Sequence, residues 1–294
     1  ARHHPLRLGL HSLVGFTKRS HVHPHHGDAV SRLTSPLRLG DRTAPACLLF
    51  GPHVTNLGRE RGLTARHAAY YGRRAQGGAG IVVTETASVH ASDWPYERAP
   101  LASSSGPGWA EIAAAVGDAG ALAMASLGHA GGQGSSAYSQ AALWAPSPMP
   151  MNNDREVPKV MEPADIEAVV AGFADATAYA RASDMDGVEV NAGQFSLVRQ
   201  FLSGLTNQRG DAYGEDRARL LREVLSACRD ALEGGVLGLR LSCDELAPWA
   251  GLTPELAAEV VAEVADAVDY LVVERGSNYS VSATRPDGHT DPGF

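Results

Sequence analysis

Cysteine is scarce in this sequence, and long apolar runs are missing from it. The 294 residues include three cysteines, Cys47, Cys228 and Cys243, which lie far apart and form no C-x-x-C pair. This spacing excludes a thiolate site for zinc or for an iron–sulfur cluster, and it is typical of a reducing, cytoplasmic compartment. Each cysteine lies in an apolar stretch, so we expect all three to be buried. No apolar run approaches the roughly 18 residues of a membrane-spanning helix, so we expect no membrane partner.

Positive charge does not predominate either. The formal net charge is −8 at pH 7, and the basic residues are scattered along the chain. Nucleic-acid binding needs a basic face that neutralises phosphates, so this class of partner is excluded. A composition of 44% hydrophobic and 20% charged residues is ordinary for a soluble globular protein. The length is compatible with one large α/β barrel or with two smaller domains.

The first 28 residues differ in composition from the rest of the chain. They contain seven of the twelve histidines and no acidic residue before Asp28. We expect residues 1–28 to be a disordered, His-rich extension and residues 29–294 to form the folded domain. A metal-binding HVHPHH tract and a basic targeting peptide remain alternatives, but no carboxylate or thiolate accompanies the histidines. We expect no functional metal site.

Short apolar runs alternate with longer segments of helical period from Pro45 onward. This alternation is typical of an α/β fold with a parallel sheet. The runs predict six strands, at residues 46–51, 80–85, 121–127, 186–190, 237–242 and 269–274. Thr64, Pro163 and the Thr253-Pro254-Glu255 sequence indicate helix starts. A doubly wound nucleotide-binding sheet would carry G-x-G-x-x-G after its first strand, whereas this chain has LFGPHVTNLG, so a TIM (β/α)8-type barrel is favoured.

Polar side chains lie where the predicted strands end. In a parallel barrel these ends form one rim, so residues that are distant in sequence converge there. The candidates are His53, Thr55, Glu85, Thr86, Ser126, His129, Asn191, Gln194, Ser196, Arg240 and Tyr279. Their donors and acceptors suit a planar heteroaromatic ligand better than a bare metal ion, because few carboxylates are available.

Arg240 is the most unusual of these residues, because it lies between Leu239 and Leu241 on a predicted core strand. An unpaired buried charge is strongly destabilising, so the guanidinium needs an anionic partner. That partner is either a carboxylate in a structural ion pair, Glu85 or Glu189, or an anionic ligand.

The run from Asp186 to Leu221 carries a family resemblance. Its DGVE, QFLSGLTNQRGDAYG and EDRARLLREV elements resemble the fourth-strand region of the old yellow enzyme superfamily, especially the branch of bacterial 2,4-dienoyl-CoA reductase. The similarity extends from about Leu37 to Phe294 and includes LFGPHVTNLG, GGAGIVVTETASVH, LGHAGGQG and GLRLS. NAGQ in place of a histidine pair, together with SATRPDGHTDPGF, looks most like a mycofactocin-associated branch.

The resemblance implies an FMN-dependent oxidoreductase that uses NADH or NADPH and acts on a small molecule. Matching positions imply that the following residues surround the flavin: Pro52, His53, Thr55, Glu85, Thr86, Ser126 and Arg240. Arg240 would lie beside the pyrimidine end of the ring, where a cation stabilises the reduced flavin. Ser126 stands where relatives commonly have a glutamine, whose longer side chain reaches the pyrimidine.

The same resemblance implies hydride transfer from flavin N5 to an activated alkene of the enone or enoyl type. Asn191 and Gln194 occupy positions at which two side chains hold the substrate carbonyl oxygen. Amide N–H groups can donate to that oxygen, although more weakly than an imidazolium. Ser196 replaces the proton-donating tyrosine of the dienoyl-CoA branch, and Tyr279 is a candidate replacement.

The superfamily barrel has eight strands, and the six predicted here leave the seventh and eighth, with their phosphate-binding loops, unaccounted for. We therefore expect an incomplete barrel with two exposed edges, an arrangement that natural sheets avoid. Two alternatives to the flavin enzyme stay open. One is an inactive truncated barrel or interaction subunit, completed by another chain or assembled as a homo-oligomer. The other is a cofactor-free lyase that uses Arg240 with His129 or Glu85.

Overall fold

The structure, a computed structural model, describes residues 32–150 and 156–278. Its centre is a sheet in which six parallel strands lie side by side in chain order. These strands are β3 (Leu49–Phe50), β4 (Ile81–Val83), β6 (Leu122–Gly128), β9 (Gly187–Ala192), β10 (Val236–Ser242) and β11 (Tyr270–Glu274). A doubly wound sheet reverses its strand order at a switch point, and no reversal occurs here. The predicted barrel-type architecture with six strands is therefore confirmed.

Five longer helices connect or follow these strands. They are α1 (Ala65–Gln76), α2 (Gly106–Gly117), α4 (Pro163–Ala182), α7 (Arg219–Leu232) and α8 (Pro254–Val264). Shorter helices lie in the loops: α3 (Ser136–Ser139), α5 (Leu197–Leu202) and α6 (Ala212–Glu215), with 3₁₀ turns at Ala102–Ser104, Gly131–Gln133 and Ala265–Ala267. Small strands complete the described part: β1 (Leu37–Leu39) pairs with β2 (Arg42–Ala44), β5 (Ala87–Ser88) with β6, and β7 (Trp144–Ala145) with β8 (Lys159–Val160).

The helix-start signals of the sequence are confirmed. Thr64 caps α1, Pro163 occupies the first turn of α4, and the Thr253 hydroxyl accepts a hydrogen bond from the Leu256 amide at the start of α8. Proline suits this first turn because the backbone N–H that it lacks would have no hydrogen-bond partner within the helix.

The central strands are buried on both faces, as continuous apolar runs predict for a parallel sheet. Every residue of β6 and of β10 is buried, and β9 is buried except at Asn191. Helix α7 covers one face with an apolar stripe of Leu220, Leu221, Val224, Leu225, Cys228 and Leu232. This packing fixes the carboxyl ends of the strands relative to one another, and the polar residues of the rim lie at those ends.

The described sheet ends at β3 on one side and at β11 on the other. Val273 of β11 is 59% exposed, although it belongs to an apolar strand.

The prediction that all three cysteines are buried is correct for Cys228 only. Cys47 is exposed, so the prediction is wrong there, and Cys243 is half-buried. No helix among residues 32–150 and 156–278 combines the length and apolarity of a bilayer-crossing segment.

Candidate active site at the carboxyl ends of the strands

A cavity of about 200 Å³ opens at the carboxyl ends of the parallel strands. Eight residues predicted from the sequence line it: Pro52, His53, Glu85, Thr86, His129, Asn191, Gln194 and Arg240. They come from segments as far apart as the loop after β3 and the interior of β10, so the structure brings together residues separated by almost 190 positions. The convergence follows from the parallel strands, whose carboxyl ends all point the same way.

Thr55 and Ser126 lie behind this lining. The Thr55 hydroxyl donates a short hydrogen bond to Glu85 Oε2, and Ser126 Oγ lies 2.8 Å from Thr86 Oγ1. Both residues therefore support lining side chains. Tyr279 and the residue 1–28 extension lie outside the described residues.

Glu85 is a buried carboxylate surrounded by donors. Tyr96 donates its hydroxyl to Oε1 at 2.5 Å, and His67 Nε2 lies 3.3 Å from Oε2. The His67 ring is oriented by the Thr64 amide, which donates to Nδ1 at 3.0 Å and leaves the proton on Nε2. Burial acts to raise the pKa of Glu85, but hydrogen bonds from His67, Thr55 and Tyr96 outweigh it and lower the pKa below its ordinary value. The cavity therefore holds a fixed negative charge at neutral pH.

Replacing Glu85 with Gln is expected to make stability less dependent on acid pH. Because the folded pKa of Glu85 is lowered, its contribution is present above the unfolded pKa of about 4.3 and is lost as pH falls through the lower folded value. The gap in unfolding free energy between wild type and E85Q should therefore be large at pH 7 and shrink below about pH 4. Urea denaturation across this range measures the gap. Glu111, exposed on α2, provides the control variant E111Q, and an E85Q gap that stays constant with pH contradicts the expectation.

Arg240 reaches the cavity from β10 between two carboxylates. Its Nε donates to Glu189 Oε1 and its Nη1 to Glu274 Oε1, each at 2.8 Å. Burial acts to lower the pKa of Arg240, but Glu189 and Glu274 outweigh it and raise the pKa above its ordinary value. The expected ion pair with Glu189 is thus present, the alternative pair with Glu85 is not, and the guanidinium still lines the cavity.

The second amino group of Arg240 has a different environment. Nη2 is buried and has no hydrogen-bond partner among the residues that the structure describes. It faces Gly51, where an added Cβ would lie 3.2 Å from it. An unsatisfied buried N–H₂ group is strongly unfavourable, so this atom indicates an acceptor that residues 32–150 and 156–278 do not supply.

Asn191 and Gln194 both line the cavity, but their amides are in different states. Asn191 Oδ1 accepts a hydrogen bond from the Gly193 amide at 2.9 Å, so the Nδ2 group of Asn191 is directed away from Gly193. The Gln194 Nε2 group donates a short hydrogen bond to the Arg275 carbonyl, and the backbone amide of Gln194 donates to Glu274 at 3.2 Å. Asn191 therefore has the freer donor of the two.

His129 lines the cavity with neither ring nitrogen available. Nδ1 accepts from the Gly131 amide at 2.9 Å, and Nε2 lies 3.0 Å from Ser92 Oγ. Nε2 must then carry the proton, and burial lowers the pKa of His129, so the ring is neutral. This arrangement does not support His129 as the acid or base of a cofactor-free lyase.

Three ionisable lining residues were absent from the sequence-based candidates. Glu274 ends β11, and the same strand-end rule that selected Glu85 would have found it. Asp93 and Tyr96 lie in the irregular segment after β5, which folds back over the cavity. That segment has neither helical nor strand periodicity, and no sequence signal indicates its return to the rim.

The whole of this site lies within a region that matches a known family. Residues 32–290 match the NADH:flavin oxidoreductase / NADH oxidase family. The chain belongs to this family. The resemblance to the old yellow enzyme superfamily is confirmed, and FMN and a nicotinamide nucleotide are the cofactors that family membership assigns. The narrower dienoyl-CoA and mycofactocin branches stay predictions.

Individual relatives agree with this family membership. An NADH oxidase from Thermoanaerobacter brockii is 30% identical over 225 residues, 72% of this chain and 34% of that protein. The old yellow enzyme homologue from Zymomonas mobilis aligns with a TM-score of 0.73 at 26% identity, over 88% of this chain and 76% of its own. Histamine dehydrogenase from Rhizobium sp. 4-9 aligns with a TM-score of 0.76 at 26% identity, over 84% and 37%. The chain spans 31% to 65% of the curated relatives' lengths.

The residues of the NADH:flavin oxidoreductase site fit a flavin ring. The unpartnered Arg240 Nη2 is a donor of the kind that a pyrimidine oxygen or nitrogen would accept. Thr86 and Asn191 pack closely against Gly128, where an added Cβ would lie 2.8 Å from Thr86 and 3.3 Å from Asn191. A cavity lined by such donors suits a planar heteroaromatic ring.

Proposed function

We propose that this chain binds FMN at the strand-end cavity and catalyses NAD(P)H-dependent reduction of an activated alkene, an enone or enoyl compound. The observation that carries the proposal is the convergence on one cavity of two donors, the unpartnered Nη2 group of Arg240 and the amide of Asn191. One donor suits the cofactor and the other suits a substrate carbonyl.

Each lining residue has a distinct task in this proposal. Arg240 holds the pyrimidine end of the ring, and the Pro52 and His53 backbone and Thr86 border it. Thr55 and Ser126 act indirectly, by fixing Glu85 and Thr86. Bound FMN supplies a hydride at N5.

Asn191 acts on the substrate. Its Nδ2 group donates to the substrate carbonyl oxygen and stabilises the negative charge that develops there. Gln194 would have to release the Arg275 carbonyl before it could donate as well, so we assign it the smaller contribution. Tyr279 remains our candidate proton donor.

Reconstitution with FMN tests the proposal directly. Addition of FMN to the purified chain should give a bound-flavin spectrum, and NADPH or NADH should then support reduction of a cyclic enone. Asn191→Ala is expected to lower kcat/KM by roughly 10–100-fold, the loss of one donor to a developing oxyanion, with unchanged FMN affinity. Gln194→Ala is the matched amide control and should lower it less. Failure of the chain to bind FMN contradicts the proposal.

A second candidate reaction, dehydrogenation of an amine, is favoured by the carboxylates of the cavity. Glu85, Asp93 and Glu274 all line it, whereas Arg240 is the one cationic side chain among the described lining residues. An ammonium substrate would be attracted to this charge. The structural similarity to histamine dehydrogenase supports the same candidate. Flavin bleaching by a primary amine without added NAD(P)H, and no turnover of enones, would favour it.

The edges of the described sheet, at β3 and β11, support a proposal about assembly. Exposed parallel edges recruit further strands, and Val273 adds apolar surface to one of them. We propose that these edges are covered in a homo-oligomer or by a complementing chain. Light scattering coupled to size exclusion measures the mass of the purified chain, and a stable folded monomer contradicts this part of the proposal.

A further inference from the structure

Arg240 is paired with two carboxylates that a flavin-stabilising arginine does not require. Glu189 on β9 contacts Nε, and Glu274 at the end of β11 contacts Nη1, both at 2.8 Å. The side chain of Glu189 is fully buried, and that of Glu274 is 27% exposed. Together the three side chains carry a formal charge of −1 when both carboxylates are ionised.

The described strands β6, β9 and β11 carry no further cation that would offset this charge. Tyr270 of β11 donates its hydroxyl to Glu189 Oε2 at 2.9 Å, beside Gly238, where a side chain would collide with the ring. On the β6 side of β9, the residue opposite Glu189 is Ser126, which is uncharged. Glu85, which also lines the cavity, adds a further negative charge to the site. Among the described residues, the titratable groups that act on Glu189 are therefore Arg240, Tyr270 and Glu274.

These surroundings leave Glu189 ready to accept a proton. Burial raises the pKa of Glu189 above its ordinary value, and this effect outweighs the opposing effect of Arg240. A negative charge placed on Nη2 of Arg240 would draw the guanidinium away from the carboxylates and increase this tendency.

We propose that Glu189 takes up a proton when the flavin at Arg240 is reduced, and that Glu274 sets how much of the guanidinium charge the flavin experiences. This inference rests on the proposed binding of FMN. Reduction to the anionic flavin uses two electrons and one proton, which is bound at N5. Here a second proton from solvent is bound by the Glu189 carboxylate, so the pair takes up two electrons and two protons, and the net charge of the site is unchanged.

The midpoint potential of the bound flavin as a function of pH tests the assignment. Each extra proton taken up per two electrons changes the ratio of reduced to oxidised flavin tenfold per pH unit, about 30 mV for a two-electron couple. At a pH where free reduced flavin is anionic, wild type should show the two-proton dependence, whereas Glu189→Gln should show the one-proton dependence. Spectral titration against redox dyes gives the midpoint potential of each protein at each pH without any catalytic turnover.

Glu274→Gln tests the second part of the inference, the effect of Glu274 on the guanidinium charge that the flavin experiences. It removes one carboxylate from Arg240, so the reduced flavin should be favoured over the oxidised flavin by about tenfold more than in wild type, about 30 mV, while the two-proton dependence remains. Glu263→Gln is the matched control, since Glu263 pairs with Arg222 and neither residue lines the cavity, so the midpoint potential and its pH dependence should not change.

The outcomes are distinguishable. If E189Q retains the two-proton dependence, the proton is bound by the flavin and the role of Glu189 is refuted, whereas FMN binding still stands. If no flavin binds, the proposed function fails and this inference fails with it. Should E189Q not fold, Tyr270→Phe removes one hydrogen bond from ionised Glu189, and the two-proton dependence should then extend to higher pH. An unchanged pH range in a folded, flavin-bound Y270F also refutes the role of Glu189.

Discussion

Arg240→Met is expected to weaken FMN binding and to destabilise the fold at the same time. Nη2 would no longer donate to the flavin, and a hydrogen bond from a charged group contributes about 1.5–3 kcal/mol, or roughly 10–100-fold in the dissociation constant. Glu189 would also remain buried without its cation, and breaking a buried ion pair in this way is destabilising by about 3–5 kcal/mol. FMN titration by fluorescence quenching and urea denaturation measure the two effects separately.

A double variant distinguishes the structural role of Arg240 from its role toward the ligand. R240M/E189Q removes both buried charges, so stability should recover most of what R240M loses, because neither charge is left unpaired. FMN affinity should remain low, since the donor to the flavin is still absent. Arg222→Met is the control, because its pairs with Asp216 and Glu263 are exposed and such pairs contribute at most about 1 kcal/mol. Full recovery of FMN affinity in the double variant would contradict the assignment of Arg240 to the cofactor.

Arg199→Met is expected to give the largest loss of stability away from the cavity. Arg199 of α5 and Glu245, in the loop after β10, form an ion pair in which both side chains are fully buried. Arg199 also donates to Gln133 Oε1 at 2.7 Å, and Gln133 in turn donates to the Ser277 carbonyl at 2.9 Å. One arginine thus joins the loops that follow β6, β9, β10 and β11. Its removal leaves the Glu245 carboxylate buried, with an expected loss of about 3–5 kcal/mol.

A double-mutant cycle measures this second pair. R199M and E245Q are each expected to be destabilising, while R199M/E245Q should lose clearly less than the sum of the two. Urea denaturation of the four proteins gives the coupling energy. Additive losses would mean that the coupling energy is zero and that the interaction between Arg199 and Glu245 does not stabilise the fold. Because Gln133 holds the 277–278 backbone, R199M should also increase the hydrogen exchange of that segment, which R222M should leave unchanged.

The fold could be predicted from the sequence because its signals are local. Parallel strands covered on both faces appear as short apolar runs, and all six runs became strands. Thr64 and Thr253 mark helix starts through hydrogen bonds within one turn, so no distant residue is needed to recognise them. The exposure of Cys47 was not predictable in this way, since it depends on which segments cover residue 47.

The site could be predicted only in part, for the same physical reason. Glu85, Asn191 and Arg240 were found because strand ends converge in any parallel barrel. The strand-end position of Glu274 could have been found in the same way, but its pairing with Arg240 and the hydrogen bond from Tyr96 to Glu85 depend on side-chain directions that periodicity does not encode. The Arg199–Glu245 pair left one trace in the sequence, a charged residue inside the apolar LVRQFL segment, whose partner lies 46 positions away.

The order of the strands in the sheet also bears on how the chain reaches its structure. The six parallel strands lie in the sheet in the same order as along the chain, β3, β4, β6, β9, β10 and β11, so each pairs with the one made just before or just after it. During synthesis every new strand and helix can therefore dock on a template that has already left the ribosome, and no described strand waits for a partner made much later. Such stepwise growth keeps loop-closure entropy small at each step, and it leaves the newest strand as the transient aggregation hazard.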